Sequence, residues 1–154
     1  MNKKLINYFG KVCIETSKLS TCASKKVGCI LIKDKRIIAC GYNGVPAGLK
    51  HCDEIFSSNK IKNDQFERKA HHEWSPLNEL HAEQNMISFC AKEGISTNNT
   101  ILFVTLSPCI NCAKLIFSAG IKKVYYLEEY DLDKTGLAFL DKNHIDLVRL
   151  INSE

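Results

Sequence analysis

Residues 100–128, TILFVTLSPCINCAKLIFSAGIKKVYYLE, contain the pattern that decides the fold. TILFVTL and KKVYYLE are short runs rich in branched and aromatic residues, which is typical of buried strands. Between them, Ser107 and Pro108 are suited to the N-cap and first residue of a helix, and Gly120 ends that helix. A strand, a helix and a second strand in this order predict parallel strands joined by a crossover helix.

The rest of the chain extends this unit on both sides. Apolar residues at helical spacing in 3–19 predict an amphipathic opening helix, and VGCILIK and RIIACGY around Asp34 and Lys35 predict a hairpin. Residues 80–93 predict a helix that Gly94 ends, while GLAFLDKN and IDLVRLI predict a final helix and strand. We therefore expect an α/β protein, a three-layer α/β/α fold with a mixed five-stranded sheet.

Length and composition indicate one soluble domain. The 154 residues are 45% hydrophobic and 25% charged, and they fit a single domain over 1–154 with a long surface insertion loop at 43–78. No apolar run is long enough for a membrane helix, and the N-terminus lacks the pattern of a secretory signal, so we expect a cytoplasmic protein. The net charge of +4 is spread along the chain, so no nucleic-acid partner is expected.

Eight cysteines in a reducing compartment are poor candidates for four disulfides. Four of them lie within apolar patterns and are predicted to be core residues, namely Cys13, Cys29, Cys40 and Cys90. The others remain candidates for metal binding.

HAEQN at 81–85 and SPCINC at 107–112 together suggest a metal site with its own acid/base. One histidine and two cysteines, His81, Cys109 and Cys112, supply three zinc ligands and leave a fourth position open. Glu83 would then lie near that open position and transfer protons. The alternative is that the four are unrelated core and surface residues, but their joint occurrence at predicted helix starts argues against it.

HAE followed by PCINC resembles the cytidine deaminase superfamily. The flanking blocks GYNGVPAG, HHEWSPLNELHAEQN, TLSPCINCAK and GIKKVYY resemble the deoxycytidylate (dCMP) deaminases of bacteriophage type, and the similarity runs from about residue 22 to residue 136. The resemblance implies a cytidine deaminase-like fold and hydrolysis of dCMP to dUMP and ammonia, which feeds thymidylate synthesis. It also implies that His81, Cys109 and Cys112 hold zinc and that Glu83 is catalytic.

Further residues are expected to contact the substrate. Asn43 lies in a GYNG turn, where its amide can reach a sugar hydroxyl or a base edge. Tyr130 resembles the family aromatic residue that stacks on the pyrimidine, and Ser107 is a further candidate contact. Lys26 could face the phosphate. The alternatives are a structural turn asparagine, a half-buried tyrosine and a solvated lysine.

The resemblance also implies regulation and assembly. Phage members of the family bind dCTP as an activator and dTTP as an inhibitor on a hexamer, and Phe89 and Lys92 match their effector-contacting positions. A triphosphate effector would bring Mg²⁺ with it. Lys92 replaces an arginine of the phage pattern, and the two side chains are not equivalent at bidentate contacts.

A second, structural zinc is implied near the insertion. The resemblance points to Cys22, His71 and Glu79 as ligands, and either His51 or Cys52 could be the fourth. A closed four-ligand site would tie a polar segment to the body of the protein. The alternative is that these residues bind no metal.

Two other functions remain open at this stage. One is deamination of free deoxycytidine, cytidine or a nucleic-acid base. The other is a non-catalytic, zinc-stabilised nucleotide-binding module, although Glu83 would have no role beside a purely structural zinc.

Overall fold

The structure is a computed structural model that describes residues 1–150. Residue 151 of the predicted last strand and the final residues of the expected 1–154 domain lie outside the described part. The elements are α1 Lys3–Ser17, β1 Gly28–Lys33, β2 Arg36–Tyr42, a 3-10 turn Cys52–Glu54, α2 Ser58–Asn63, α3 Gln65–Asn78, α4 Ala82–Glu93, β3 Ile101–Leu106, α5 Ile110–Ser118, β4 Lys123–Glu128, α6 Thr135–Lys142 and β5 Asp146–Arg149.

The five strands form one mixed sheet in the order β2-β1-β3-β4-β5. Strand β1 is antiparallel to β2 and β3, whereas β3, β4 and β5 are parallel to one another. Asp34 and Lys35 join β1 to β2 with φ angles of 49° and 63°, the left-handed turn that suits a two-residue hairpin. The predicted hairpin and mixed five-stranded sheet are confirmed.

Helices cover both faces of the sheet. On one face, Phe9 and Cys13 of α1 pack against Ile30 and Phe103. On the other face, buried residues of α4, α5 and α6 pack against β1, β3 and β4; they include Met86, Cys90, Ala113, Ile116 and Leu140. The expected three-layer α/β/α arrangement is therefore confirmed.

The prediction of a surface loop over 43–78 is wrong for most of that segment. Residues 52–78 form the 3-10 turn, α2 and α3, and they share a small core with Cys22 and Ala23. Apolar periodicity did not predict these helices, because their apolar residues do not form one stripe that faces the core. Phe66 and Leu77, for example, are 79% and 85% exposed. Short-range capping, such as the bond from Phe66 N to Asp64 Oδ1, defines the start of α3 instead.

All eight cysteines are free thiols. Cys13, Cys29 and Cys90 are buried as predicted, but Cys40 is exposed, so its assignment to the core is wrong. The reason is the two-residue alternation of strand side chains, since Ala39 and Gly41 are buried on either side of Cys40 in edge strand β2.

Over residues 1–150, no helix combines the length and the apolar character that a membrane crossing would need.

Candidate active site

The ends of three strands meet at one edge of the sheet. The parallel strands β3 and β4 end there, and Ser107 N donates to Glu128 O at 2.8 Å to hold their ends together. The antiparallel strand β1 begins at the same edge, where Gly28 N donates to Thr105 Oγ1 at 3.0 Å. Ligands of α/β sheets commonly bind beyond the carboxyl ends of parallel strands, and a cleft of about 710 Å³ opens here.

His81, Cys109 and Cys112 come together as predicted, and two of them, His81 and Cys109, line this cleft. His81 is the N-cap of α4 and Cys109 the N-cap of α5, so α5 begins later than the expected start at Ser107 and Pro108. The His81 Nδ1 atom lies 3.5 Å from Cys109 Sγ and 3.4 Å from Cys112 Sγ. Two helices therefore begin at residues of one donor group.

The separations of these donors fit a tetrahedral zinc ion. Zinc bonds of about 2.3 Å to sulfur and about 2.1 Å to nitrogen place neighbouring S and N ligands about 3.6 Å apart. The two S to N distances here, 3.5 and 3.4 Å, are close to that value. The soft donor set and its geometry thus fit zinc and leave one tetrahedral position for another group.

Electrostatics favour thiolate formation at this point. A hydrogen bond from the Cys112 thiol, together with the nearby His81 imidazole, lowers the pKa of Cys109 to about 4. The same contact with Cys109, together with burial, raises the pKa of Cys112. The start of α5 adds positive potential from its unpaired N–H groups. These effects favour the thiolate form of Cys109, which is the form that binds metal.

Glu83 lies in the first turn of α4 and lines the same cleft. Its side chain is only 3% exposed, and burial raises the pKa of its carboxyl group. A carboxyl group with a raised pKa accepts and returns a proton near neutral pH more readily than an exposed one. This position is suited to the acid/base role that the sequence predicts.

Two glycines outside the donor motif set the positions of these helices. A Cβ atom on Gly41 would lie 2.4 Å from Ala82 O, so strand β2 can contact the start of α4 only without a side chain there. A Cβ on Gly136 would lie 2.0 Å from Pro108 O and 2.8 Å from Cys109 C. Gly41, the first glycine of GYNG, lies in a turn motif that the sequence made visible, whereas no sequence motif pointed to Gly136.

Two polar side chains also form hydrogen bonds that stabilise the start of α4. Gln84 Oε1 accepts from His81 N at 2.8 Å, and Asn85 Nδ2 donates to Tyr42 O at 2.9 Å. Both side chains belong to the quoted HAEQN stretch, but sequence reasoning assigned neither of them a role. They fix the first turn of α4, and with it His81 and Glu83, to the end of β2.

Asn43, Ser107 and Tyr130 line the cleft, as expected of substrate contacts. The Asn43 amide accepts from Val27 N at 2.8 Å and donates to Lys25 O at 2.9 Å, so it also braces the segment before β1. Ser107 Oγ accepts from Tyr130 N at 2.8 Å. Tyr130 is 43% exposed, which leaves part of its side chain accessible.

Lys26 does not line the cleft, contrary to its predicted place. Its neighbour Lys25 lines the cleft instead, because the Lys25 ammonium pairs with Glu128 and its carbonyl bonds Asn43. Phe89 and Lys92 lie on α4 outside the cleft, and both side chains are exposed.

A second donor group lies beside the cleft. It consists of Cys22, Cys52, His71 and Glu79, whose donor atoms all lie within 4.8 Å of one another. Cys22 Sγ is 3.7 Å from His71 Nε2 and 3.6 Å from Glu79 Oε2, and Glu79 Oε1 is buried without a hydrogen-bond partner. The separations are close to the ligand spacings of about 3.4–3.6 Å around a tetrahedral metal, and an unpartnered buried oxygen suits one.

His51 is not part of this group. Its Nδ1 atom lies 3.2 Å from Thr21 Oγ1, and the residue is exposed, whereas Cys52 is fully buried. Of the two alternatives for the fourth donor, the geometry brings only Cys52 to the other three.

Comparison with known proteins identifies the class to which this fold and site belong. The family described as the cytidine and deoxycytidylate deaminase zinc-binding region matches residues 3–128, and the chain belongs to this family. The sequence is 43% identical over 146 residues to the deoxycytidylate deaminase of Enterobacteria phage T2, with 78% of each chain covered. It is 42% identical over 146 residues to that of Enterobacteria phage T4, with 78% of this chain and 76% of the relative covered.

A solved structure narrows the comparison further. The dCMP deaminase from the cyanophage S-TIM5, in complex with dCMP and dUMP, superposes with a TM-score of 0.81 at 32% identity. The match covers 97% of this chain and 99% of that one. This protein is thus similar over nearly its whole length to a phage dCMP deaminase.

Proposed function

We propose that this protein is a zinc-dependent dCMP deaminase that hydrolyses dCMP to dUMP and ammonia, a step that supplies the precursor of dTMP. The observation that carries the proposal is the meeting of His81, Cys109 and Cys112 at the edge of the cleft that the buried Glu83 also lines. The similarity to phage dCMP deaminases supports the choice of substrate.

The roles of the residues follow from their positions. His81, Cys109 and Cys112 would hold the zinc ion, which when bound supplies a Lewis acid that makes water nucleophilic at neutral pH. Glu83 takes a proton from the water and later delivers it to the departing amino group. Its burial keeps bulk water from competing for that proton.

The cleft offers contacts for the rest of the nucleotide. Tyr130 presents an exposed aromatic ring on which a pyrimidine can stack. Asn43 keeps one N–H and one lone pair for a sugar hydroxyl after its two backbone bonds. Ser107 orders Tyr130 through the bond to its backbone N–H.

A second zinc held by Cys22, Cys52, His71 and Glu79 would stabilise the segment 52–78. The core of that segment is small, so a four-ligand metal would add the stability that hydrophobic burial does not supply. The unpartnered Glu79 Oε1 supports this role.

Regulation and assembly are a further part of the proposal. Phe89 and Lys92 are exposed on α4, where they are accessible to a dCTP or dTTP effector with its Mg²⁺, or to a neighbouring subunit of a homo-oligomer such as a hexamer. The eight free thiols support a cytoplasmic location, where disulfides are disfavoured. The sheet that spans β1 to β5 supports a single domain.

One assay tests the main proposal. Ammonia release is measured from dCMP, dCTP, deoxycytidine and a cytosine-containing oligonucleotide with zinc-loaded protein. We expect dCMP to have the highest kcat/KM. Preference for deoxycytidine or the oligonucleotide would overturn the choice of substrate, and nucleotide binding without any turnover would favour a non-catalytic binding module.

A further inference from the structure

One short extended segment carries a donor of each metal group. Glu79 belongs to the second donor group and His81 to the catalytic one, and only Leu80 separates them. Glu79 is the C-cap of α3 and His81 the N-cap of α4, and both have extended backbone angles. Alternate side chains of an extended segment lie on the same side, and both residues line the cleft. The two donor groups are therefore joined directly through the chain.

Leu80 is fixed to the residues at the end of strand β2. Gly44 N donates to Leu80 O at 3.1 Å, and Leu80 N donates to Gly44 O at 2.8 Å, which makes an isolated antiparallel bridge. Asn85 of α4 adds its bond to Tyr42 O. A shift of residues 42–44 would therefore be transmitted to the donors on either side of Leu80.

Ser20 connects the second donor group to the same residues by another route. It is buried, with 2% of its surface exposed, although its side chain is polar. Its Oγ accepts from Cys22 N at 3.2 Å and donates to Asn43 O at 2.8 Å. Cys22 is a donor of the second group, and Asn43 directly precedes Gly44 of the bridge. The Ser20 hydroxyl thus ties one donor group to the backbone that holds the other.

Charge does not oppose simultaneous occupation of the two groups. The second group offers two thiolates and one carboxylate, so Zn²⁺ would leave a net charge of about −1 there. The catalytic group offers two thiolates, so its net charge with Zn²⁺ would be about zero. Repulsion between the two ions is therefore largely cancelled by their ligands. The ordering of the shared segment then decides the sign, since the ion that binds second finds that segment already fixed.

We propose that Ser20 is a positioning residue that couples the two donor groups, so that a zinc ion on either group raises the zinc affinity of the other. Ser20 neither lines the cleft nor belongs to a donor group, so it acts through Cys22 and Asn43. The inference rests on the proposed function for the identity of the catalytic group. It goes beyond that function because metal loading of the active site then depends on a buried hydroxyl outside it.

Zinc affinities, measured by competition with a chromophoric chelator, test the coupling without substrate. Cys52→Ser disables the second group and Cys109→Ser the catalytic one, so each variant gives the association constant of a single group. The product of the two association constants of the wild type, divided by the product of the two single-group constants, is the coupling factor. We expect this factor to be about 5- to 150-fold in favour of joint binding.

Ser20→Ala distinguishes coupling from ordinary stabilisation. The coupling factor is determined again with Ser20→Ala present in all three proteins, and we expect it to fall to about 1. A merely structural role would lower the single-group constants and the wild-type product by matching factors, and the coupling factor would not change. Ser17→Ala is the matched control, because Ser17 is also buried but its Oγ donates to Ile14 O within α1. The coupling factor should survive in that variant.

Hydrogen exchange gives a second test that requires no change at Ser20. In Cys109→Ser protein, zinc binding to the second group should slow exchange of the Gly44 and Leu80 N–H groups at least about fivefold, because both bonds belong to the bridge. The inference is overturned if the wild type binds a single ion, if its coupling factor is about 1, or if Ser20→Ala leaves that factor unchanged. Unchanged exchange at the bridge would overturn it as well.

Failure of this inference and failure of the proposed function can be told apart, since the zinc measurements contain no nucleotide. Coupled zinc binding without ammonia release from dCMP would keep the role of Ser20 and reject the deaminase. Turnover of dCMP with a coupling factor of about 1 would do the reverse.

Discussion

The carbonyl oxygen of Pro108 lies against the backbone of Gly136, so close that a Cβ on residue 136 would stand 2.0 Å from it. Helix α6 therefore rests directly on the residue pair that begins the CxxC segment. The position of Cys109 depends on the absence of a single methyl group in a distant part of the chain.

Gly136→Ala should accordingly displace Pro108 and Cys109. We expect the free energy of unfolding to fall by about 1–3 kcal/mol, as for other overpacked sites, and zinc to be lost more easily from the catalytic donors. Thermal denaturation and zinc content after dialysis against a chelator would measure both effects. Gly10→Ala is the control, because its Cβ would make only an ordinary contact of 3.5 Å with Leu150. Unchanged zinc retention in Gly136→Ala would contradict the interpretation.

Glu83→Gln should reduce kcat by about two to four orders of magnitude, because it removes the group that transfers the proton. Zinc content should stay at the wild-type level, since Glu83 is not among the donor residues. Steady-state ammonia release and metal analysis provide the two measurements. Glu93→Gln at the exposed end of the same helix is the matched control. A loss of zinc together with activity would mean that Glu83 is a ligand and not an acid/base.

Cys52→Ser and His51→Gln separate the two alternatives for the second donor group. Cys52 belongs to the group and His51 does not, so only Cys52→Ser should lower the zinc content, from about two ions per chain to about one. Cys52→Ser should also make the segment 52–78 more sensitive to proteolysis. A zinc content of about one per chain in the wild type would remove the second site altogether.

Zinc binding at the second group should release protons. Burial raises the pKa of Cys52 to about 12 and also raises that of Cys22, so both thiols are protonated at neutral pH without metal. Burial lowers the pKa of His71, which therefore starts neutral. Zinc then displaces about two protons, and its apparent affinity should rise about a hundredfold per pH unit and fall as the pH falls.

Calorimetry in two buffers of different ionisation enthalpy would count these protons. Cys109→Ser protein removes one catalytic donor, so that the heat reports mainly on the second group. Heats that do not depend on the buffer would show that the thiols are already ionised in the metal-free protein.

Asn43→Ala tests whether the Asn43 side chain holds the segment before β1 in place. The variant loses the bonds to Val27 N and Lys25 O, so we expect KM for dCMP to rise by about tenfold as the cleft wall loosens. Asn59→Ala is a suitable control, since Asn59 Oδ1 accepts a bond from Asn63 Nδ2 within α2, outside the cleft. Equal kinetics in Asn43→Ala and the wild type would leave Asn43 without a role in catalysis.

Periodicity predicted the parts of the fold that bury a continuous apolar face. The strands around Ile30 and Phe103 and the helices carrying Phe9 and Met86 have such faces, and their types were correct. Cys40 was misplaced because apolar character alone does not say which side of an edge strand a residue occupies. The start of α5 was predicted two residues too early, because its N-cap is Cys109 and not Ser107.

The candidate catalytic donors could be predicted because their spacing is itself a chemical signal. The supporting contacts could not, since Gly136 and Asn85 act through backbone approach and single hydrogen bonds that leave no pattern in the sequence. The segment 52–78 was missed for a related reason. Its helices depend on capping, a small core and a donor group assembled from distant positions, and none of these gives a periodic apolar stripe.

Helix α3 carries His71 to the second donor group and His72, Ser75 and Pro76 to the cleft wall. Because α3 is one continuous helix, displacement of one of these residues would also shift the others. A zinc ion at the second donor group would therefore also hold part of the cleft wall, and its loss would disturb the cleft even in molecules whose catalytic donors keep their metal.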